Sequence, residues 1–231
     1  MTAESPHRLT RRVVRSYVLR AGRITPAQRR ALAELWPRYG IEFGPEPLDL
    51  DRVFGRRAPR VLEIGFGDGE LLAQVALEQP GIDCLGVEVH QPGIGHCLLL
   101  TERLGLGNLR LIAHDAVEVL RHQIPDASLQ RVNLFFPDPW PKKRHHKRRI
   151  VQPEFARLLV AKLVPDGLFH VATDWAPYGV HIDAVMTQEP AFERLSAAAA
   201  LRARTKFERR GQRLGHEIYE HVWRRCTGPR G

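Results

Sequence analysis

From residue 60 onward the chain alternates short apolar runs with amphipathic stretches, and this restricts its fold more than any other feature. Residues 60–64, 82–89, 109–113, 129–136 and 167–173 have the length and apolar continuity of strands buried on both faces. Helical patterns at 70–79, 93–104, 116–122, 153–163 and 178–188 separate them, the first ended by Pro80 and the second by Gly105. A β-rich run at 218–226 follows. Strands separated by helices imply right-handed βαβ crossovers. The expected fold class is therefore α/β and Rossmann-like, a mostly parallel central sheet with helices on both faces.

Ahead of this pattern, Thr25-Pro26-Ala27-Gln28 reads as a helix start. Thr25 caps, Pro26 takes the first helical position and Gln28 completes a capping box. That helix should stop near Trp36-Pro37, because proline disfavours helix in the residue before it. Residues 1–24 are basic and lack apolar periodicity, which predicts a flexible arm, and 25–231 is the length of one domain.

No apolar run approaches the roughly 20 residues of a membrane span, and the start lacks the apolar stretch of a secretory signal. Cys84, Cys97 and Cys226 form no Cys-x-x-Cys, which argues against a disulfide framework or a zinc ribbon and for a reducing cytoplasm. A net charge of +9 favours an anionic partner, and its distribution is more telling than its size. Before Glu34 the only acid is Glu4, against eight arginines that include Arg23, Arg29 and Arg30. Two further basic clusters lie at 142–149 and 202–213.

Val61-Leu62-Glu63-Ile64-Gly65-Phe66-Gly67-Asp68-Gly69 runs a strand into closely spaced glycines, where the backbone can turn sharply and a ligand can approach without Cβ atoms in the way. A dinucleotide loop would be Gly-x-Gly-x-x-Gly, but position 70 is Glu. Glu63, expected to point into the site, would repel a pyrophosphate and suit an ammonium group. The pattern resembles the first motif of class I S-adenosylmethionine methyltransferases. Glu88 ends the second strand 19 residues after Gly69 (88 − 69 = 19), about where an acid holds ribose hydroxyls. Asp115 follows the third strand, where such enzymes contact adenine; the competing reading makes it only a helix N-cap.

At the end of the fourth strand, Phe136-Pro137-Asp138-Pro139-Trp140-Pro141 leads into Lys142-Lys143-Arg144-His145-His146-Lys147-Arg148-Arg149. A lone carboxylate at a strand's carboxyl end is where an α/β enzyme places its chemistry, and a dense cationic block fits a polyphosphate. Trp140 either stacks on an unstacked base or packs the loop, and the prolines on both sides favour packing.

With these residues the chain resembles the bacterial tRNA (guanine-N7)-methyltransferase family. The likeness extends to Arg15-Ser16-Tyr17-Val18-Leu19-Arg20, Val87-Glu88-Val89-His90, Ala172-Thr173-Asp174-Trp175 and Thr205-Lys206-Phe207-Glu208-Arg209-Arg210-Gly211, nearly the whole chain from residue 15. The resemblance implies methyl transfer from S-adenosylmethionine, which leaves as S-adenosylhomocysteine, to N7 of a variable-loop guanine, position 46, in cytoplasmic tRNA. It implies that Glu63, Gly65, Gly67, Glu88 and Asp115 bind the cofactor, and that Asp138 lies at the cofactor–guanine junction as the catalytic carboxylate. Lys142, Asp174, Thr205, Lys206, Phe207 and Glu208 would contact the substrate. Arg144, His145, His146, Lys147, Arg148 and Arg149 would lie against RNA.

No metal is expected. His216 and His221 are five apart, which on a helix turns them from each other by about 140°, and the other histidines show no ligand spacing. No membrane and no obligate protein partner is implied. Two alternatives remain at this level. An aminopropyl transferase on the same fold would want acids around a polyamine, the opposite of 142–149. A catalytically silent RNA-binding module would have no need of Glu63, Glu88 and Asp138 beside its RNA surface.

Overall fold

A computed structural model of the 231-residue chain describes residues 15–17, 22–196 and 217–227. The predicted architecture is present. Eight strands form one sheet in the order β1-β4-β3-β2-β5-β6-β8-β7. These are β1 (Gly40–Ile41), β2 (Arg60–Ile64), β3 (Asp83–Val87), β4 (Leu109–Ile112), β5 (Leu129–Phe135), β6 (Leu163–Thr173), β7 (Phe192–Leu195) and β8 (Tyr219–Arg225). The first six pair in parallel. β8 runs antiparallel to both of its neighbours, wedged between β6 and β7.

Because side chains alternate across a strand, the sheet feeds two cores. Leu62, Ile64, Val87, Val132, Leu134 and Phe169 face one side and pack against α3 (Leu50–Phe54), α6 (Ala116–His122), α7 (Pro153–Lys162) and α8 (Ala176–Thr187). Cys84, Leu109 and Leu111 face the other and pack against α1 (Pro26–Glu34), α2 (Trp36–Tyr39), α4 (Glu70–Glu78) and α5 (Gln91–Arg103). Burying a leucine completely stabilises the fold by about 2 kcal/mol, so two cores of this kind fix the strands' order and register.

The capping box at Thr25 and Gln28 forms as read, with both reciprocal hydrogen bonds. α1 ends at Glu34, but Trp36-Pro37 then opens the one-turn helix α2 rather than a loop. β6 departs further from expectation. It begins at Leu163, inside the predicted helix, and a register shift lets 163–168 face 129–131 of β5. The bulge falls at Pro165, which has no N–H to give a ladder, and at Asp166, whose φ of 60° is left-handed. β1, α3 and β7 were not anticipated. Elements of two to five residues hold too few positions to display a period.

Candidate active site

The chain order reverses at β2, with β3 and β4 lying to one side and β5 and β6 to the other. Loops leaving β2 and β5 therefore diverge, and a crevice opens at the strands' carboxyl ends. A cavity of about 470 Å³ occupies that place, a size suited to a small-molecule ligand. Its walls come from Ile64 and Gly65 after β2, from 87–90 at the end of β3, from His114 and Ala116 after β4, and from 134–138 at the end of β5. Ser16 and Tyr17 close one side. Among the described residues Glu88 and Asp138 are its acids, and no lysine or arginine lines it. Such a pocket attracts a cation and repels a phosphate.

Glu88 is not the solvated loop residue it might be. One carboxylate oxygen accepts the N–H groups of Val89 (2.7 Å) and His90 (3.0 Å), and the other accepts that of Gly67 (3.0 Å). The end of β3 is thereby tied to the glycine turn. Gly67 and Gly69 hold φ values of 62° and 78°, which side chains rarely tolerate. A Cβ on Gly69 would overlap Cys97 of α5. Gly93 is a residue the sequence reading missed. A Cβ there would overlap the carbonyl oxygen of Gly67, so α5 can approach the turn only with glycine at this position. Gly93→Ala should displace the turn, lowering Tm and weakening cofactor binding by about 1–3 kcal/mol, as titration calorimetry would measure.

Two predicted cofactor residues stand elsewhere than expected. Glu63 is buried (4% exposed) and does not line the cavity. Its charge acts on Cys84 and Cys97, placing it on the α4–α5 side, behind the glycine turn. Strand alternation explains this, since Ile64, the next residue, takes the cavity-facing position. Asp115 caps α6, accepting the N–H groups of Val117 (2.8 Å) and Glu118 (3.3 Å), so the competing N-cap reading describes it. It nevertheless sits between two cavity-lining residues. Burial, followed by the charge of Asp115, raises the pKa of the Tyr17 hydroxyl, which places Tyr17 within that carboxylate's field.

Asp138 shares the cavity with Glu88, on the wall opposite β3. Phe136 and Trp140, with φ values of 53° and 46°, bracket it. Each such conformation costs about 1 kcal/mol or more and persists only where surrounding contacts over-determine it. Trp140 supplies several of those contacts. Its indole N–H donates to the Ser16 carbonyl (3.1 Å), His145 meets the ring edge-on, and the Arg148 guanidinium lies 3.7 Å above it. Arg148 in turn donates to the carbonyls of Arg15 (3.1 Å) and Tyr17 (3.0 Å). The tryptophan packs, as its flanking prolines suggested, and holds residues 15–17 against the cavity. Trp140→Ala should weaken cofactor binding by about 1 kcal/mol, the worth of one such hydrogen bond. Trp140→Phe, which keeps the ring under Arg148, should lose less in the same calorimetric titration.

The basic run forms a 3-10 helix over Lys143–Arg148, and its side chains divide. Lys142, Lys143, Arg144 and Lys147 are exposed. Arg148 is engaged with the 15–17 segment, and Arg149 is buried (4% exposed). The sequence reading gave both arginines to RNA; in the structure Arg148 is half-buried against the carbonyls of Arg15 and Tyr17, and only Arg149 turns into the protein. His146 approaches the Pro141 carbonyl (3.4 Å). Desolvation and then the neighbouring cations lower the His145 pKa from its ordinary value.

Asp174 lies exposed just past β6, on the same rim as Asp138. Trp175, 40% exposed, follows it and caps α8. Thr205, Lys206, Phe207 and Glu208 lie outside the described residues, as does most of the 1–24 arm. Among the described residues no cluster of His, Cys, Asp and Glu could hold a metal ion, and no helix is long and apolar enough to cross a membrane. His90, His114, Ser16 and Tyr17 line the cavity without having been assigned a role from sequence; the motifs around Tyr17 and at 87–90 were the signals for three of them.

Comparison with known proteins bears on what occupies this cavity. A family described as putative methyltransferase matches residues 57–221. A tRNA (guanine-N(7)-)-methyltransferase of Alkalilimnicola ehrlichii is 54% identical over 226 residues, covering 95% of both chains. A protein of the same description from Pseudomonas aeruginosa is 53% identical, over 90% of this chain and 88% of its own. The chain belongs to the tRNA (guanine-N(7)-)-methyltransferase family. Solved structures of other methyltransferases share the fold beyond this family's sequence likeness. The 16S rRNA methyltransferase KamB superposes with a TM-score of 0.54 at 16% identity, covering 80% of this chain and 95% of its own. The aminoglycoside resistance methyltransferase NpmB1 gives 0.53 at 13% identity, covering 77% and 92%. Such distant matches establish the class I methyltransferase fold and nothing finer.

Proposed function

We propose that this member of the family transfers the methyl group of S-adenosylmethionine to N7 of guanine 46 in the variable loop of tRNA, acting in the cytoplasm. The observation that carries the reading is the cavity's charge: among the described residues its walls carry two carboxylates and no lysine or arginine, with a cationic loop immediately outside. That division suits a cationic cofactor within and a polyanion at the mouth.

The cofactor, when bound, supplies an electrophilic methyl group on a sulfonium. Gly65 and Gly67 leave room for its backbone-side approach, and Glu88, already fixed by three N–H groups, has the position of a ribose ligand. Glu63, behind the turn, supplies negative potential for an ammonium. Asp115 flanks the place of the adenine. Guanine N7 carries a lone pair and no proton, so no base is needed to free it. Positive charge moves onto the purine as the methyl group arrives, and Asp138 stabilises that charge by facing the ring. Its carboxylate can accept from guanine N1–H and the exocyclic amine, which orients N7 toward the methyl group. Asp174 stands on the same rim for a second contact, and Lys142, Lys143, Arg144 and Lys147 face the sugar–phosphate chain.

The test is methyl transfer from labelled S-adenosylmethionine to tRNA transcripts. Label should appear as 7-methylguanine, and replacing guanine 46 by adenine should abolish it. Cofactor binding with no label in any RNA would favour the silent RNA-binding module instead.

A further inference from the structure

Arg149 ends a run of six fixed cations and in sequence is indistinguishable from a phosphate ligand. In the fold it is the one member of that run turned into the protein (4% exposed). Its Nε–H donates to the carbonyl of Pro139 (3.0 Å), the residue directly after Asp138. Its guanidinium lies 4.9 Å from the ring centre of Tyr178, a side chain at 0% exposure. Its own backbone is pinned as well, the N–H to His146 (3.0 Å) and the carbonyl by Gln152 (3.2 Å). No carboxylate among the described residues lies within ion-pair distance, and one terminal nitrogen has no hydrogen-bond partner.

A buried guanidinium without a counter-ion is destabilising by itself, because desolvation of a charge is not repaid by a single carbonyl and a ring face. A side chain that served only stability would do better as an apolar residue of similar volume. What Arg149 touches is the chain between two left-handed residues, Phe136 and Trp140, at the point where Asp138 is presented to the cavity. We propose that Arg149 is a positioning residue for the reaction: it grips the Pro139 carbonyl from beneath and fixes the direction of the Asp138 carboxylate, with no part in holding RNA. The assignment rests on the proposed methyl transfer for Asp138's role. The claim that Arg149 does not touch phosphate stands apart from it.

The experiment compares Arg149→Met with the triple variant Lys143→Gln, Arg144→Gln, Lys147→Gln. For Arg149→Met, kcat should fall about tenfold to thirtyfold, the cost of a misaimed catalytic group. KM for tRNA and the slope of RNA affinity against salt should stay at wild-type values. The triple variant should instead raise KM and flatten the slope by about 2, at roughly 0.7 per charge. A flattened slope in Arg149→Met, or an unchanged kcat with a raised KM, overturns the proposal. Should Arg149→Met not fold, Tyr178→Leu removes the ring beneath the guanidinium and must lower kcat with the slope intact; an unchanged kcat there also overturns it. The slope is read from RNA binding without any turnover. A wild-type protein that methylates no tRNA therefore sinks the functional reading, while the comparison of slopes still judges whether Arg149 meets phosphate.

Discussion

Asp138→Asn is expected to slow methyl transfer by about 10²–10³-fold, the usual cost of removing one preorganised electrostatic partner of a transition state. The dissociation constant for S-adenosylmethionine should stay within about threefold of wild type, less than 0.7 kcal/mol. The substitution keeps shape and volume and changes two things. It removes the negative charge that stabilises a purine becoming positive, and it can turn an amide N–H₂ toward the guanine N1–H, so that two donors face each other. Both effects grow as the methyl group moves and neither exists before tRNA binds, which is why turnover and not cofactor affinity should respond. Asp138 is partly exposed and sits outside both cores, so the fold should tolerate the change. Single-turnover rates under saturating cofactor and tRNA make the measurement. A wild-type rate would show that the carboxylate only decorates the rim.

How much of this could be read from the chain beforehand divides along a physical line. Strand ends are legible because a buried parallel strand must be continuously apolar, so the first polar residue after it marks the rim. Glu88 and Asp138 were found that way and do share one cavity. Glu63 breaks the rule, since one residue of strand alternation turns it to the sheet's other face. Arg148 and Arg149 stand elsewhere than their run suggests for a different reason. Charge can be counted in a sequence, but its direction depends on partners far along the chain. Here those partners are the carbonyls of Arg15 and Tyr17 and the ring of Tyr178, none of which the run itself announces. Gly93 was invisible because its demand comes from Gly67, on another element. The sequence holds such pairs only as two unrelated letters, and packing creates their relation.

That division of the basic run sharpens what its removal should do. Replacing Lys142, Lys143, Arg144 and Lys147 together by Gln is expected to lower tRNA affinity steeply at low salt and to reduce the slope of log affinity against log salt by about 3, four contacts at roughly 0.7 each. The same substitution at Arg148 and Arg149 would confuse the result, because those two hold the 15–17 segment and the Asp138 loop. All four chosen side chains are exposed, and no described residue forms an ion pair with them. Their charge is therefore available to phosphates and costs the fold little to lose. At 50 mM salt the variant should bind tRNA about 10²–10³-fold more weakly than wild type, and the gap should narrow as salt rises and counterions compete for the wild-type contacts. Catalysis by RNA already bound should be spared in proportion, since these cations lie outside the cavity while Asp138 and Glu88 lie within it. An unaltered slope would mean that the four side chains meet only solvent. The polyanion would then have to approach from another bank of the mouth, where Arg23, Arg29 and Arg30 also stand exposed.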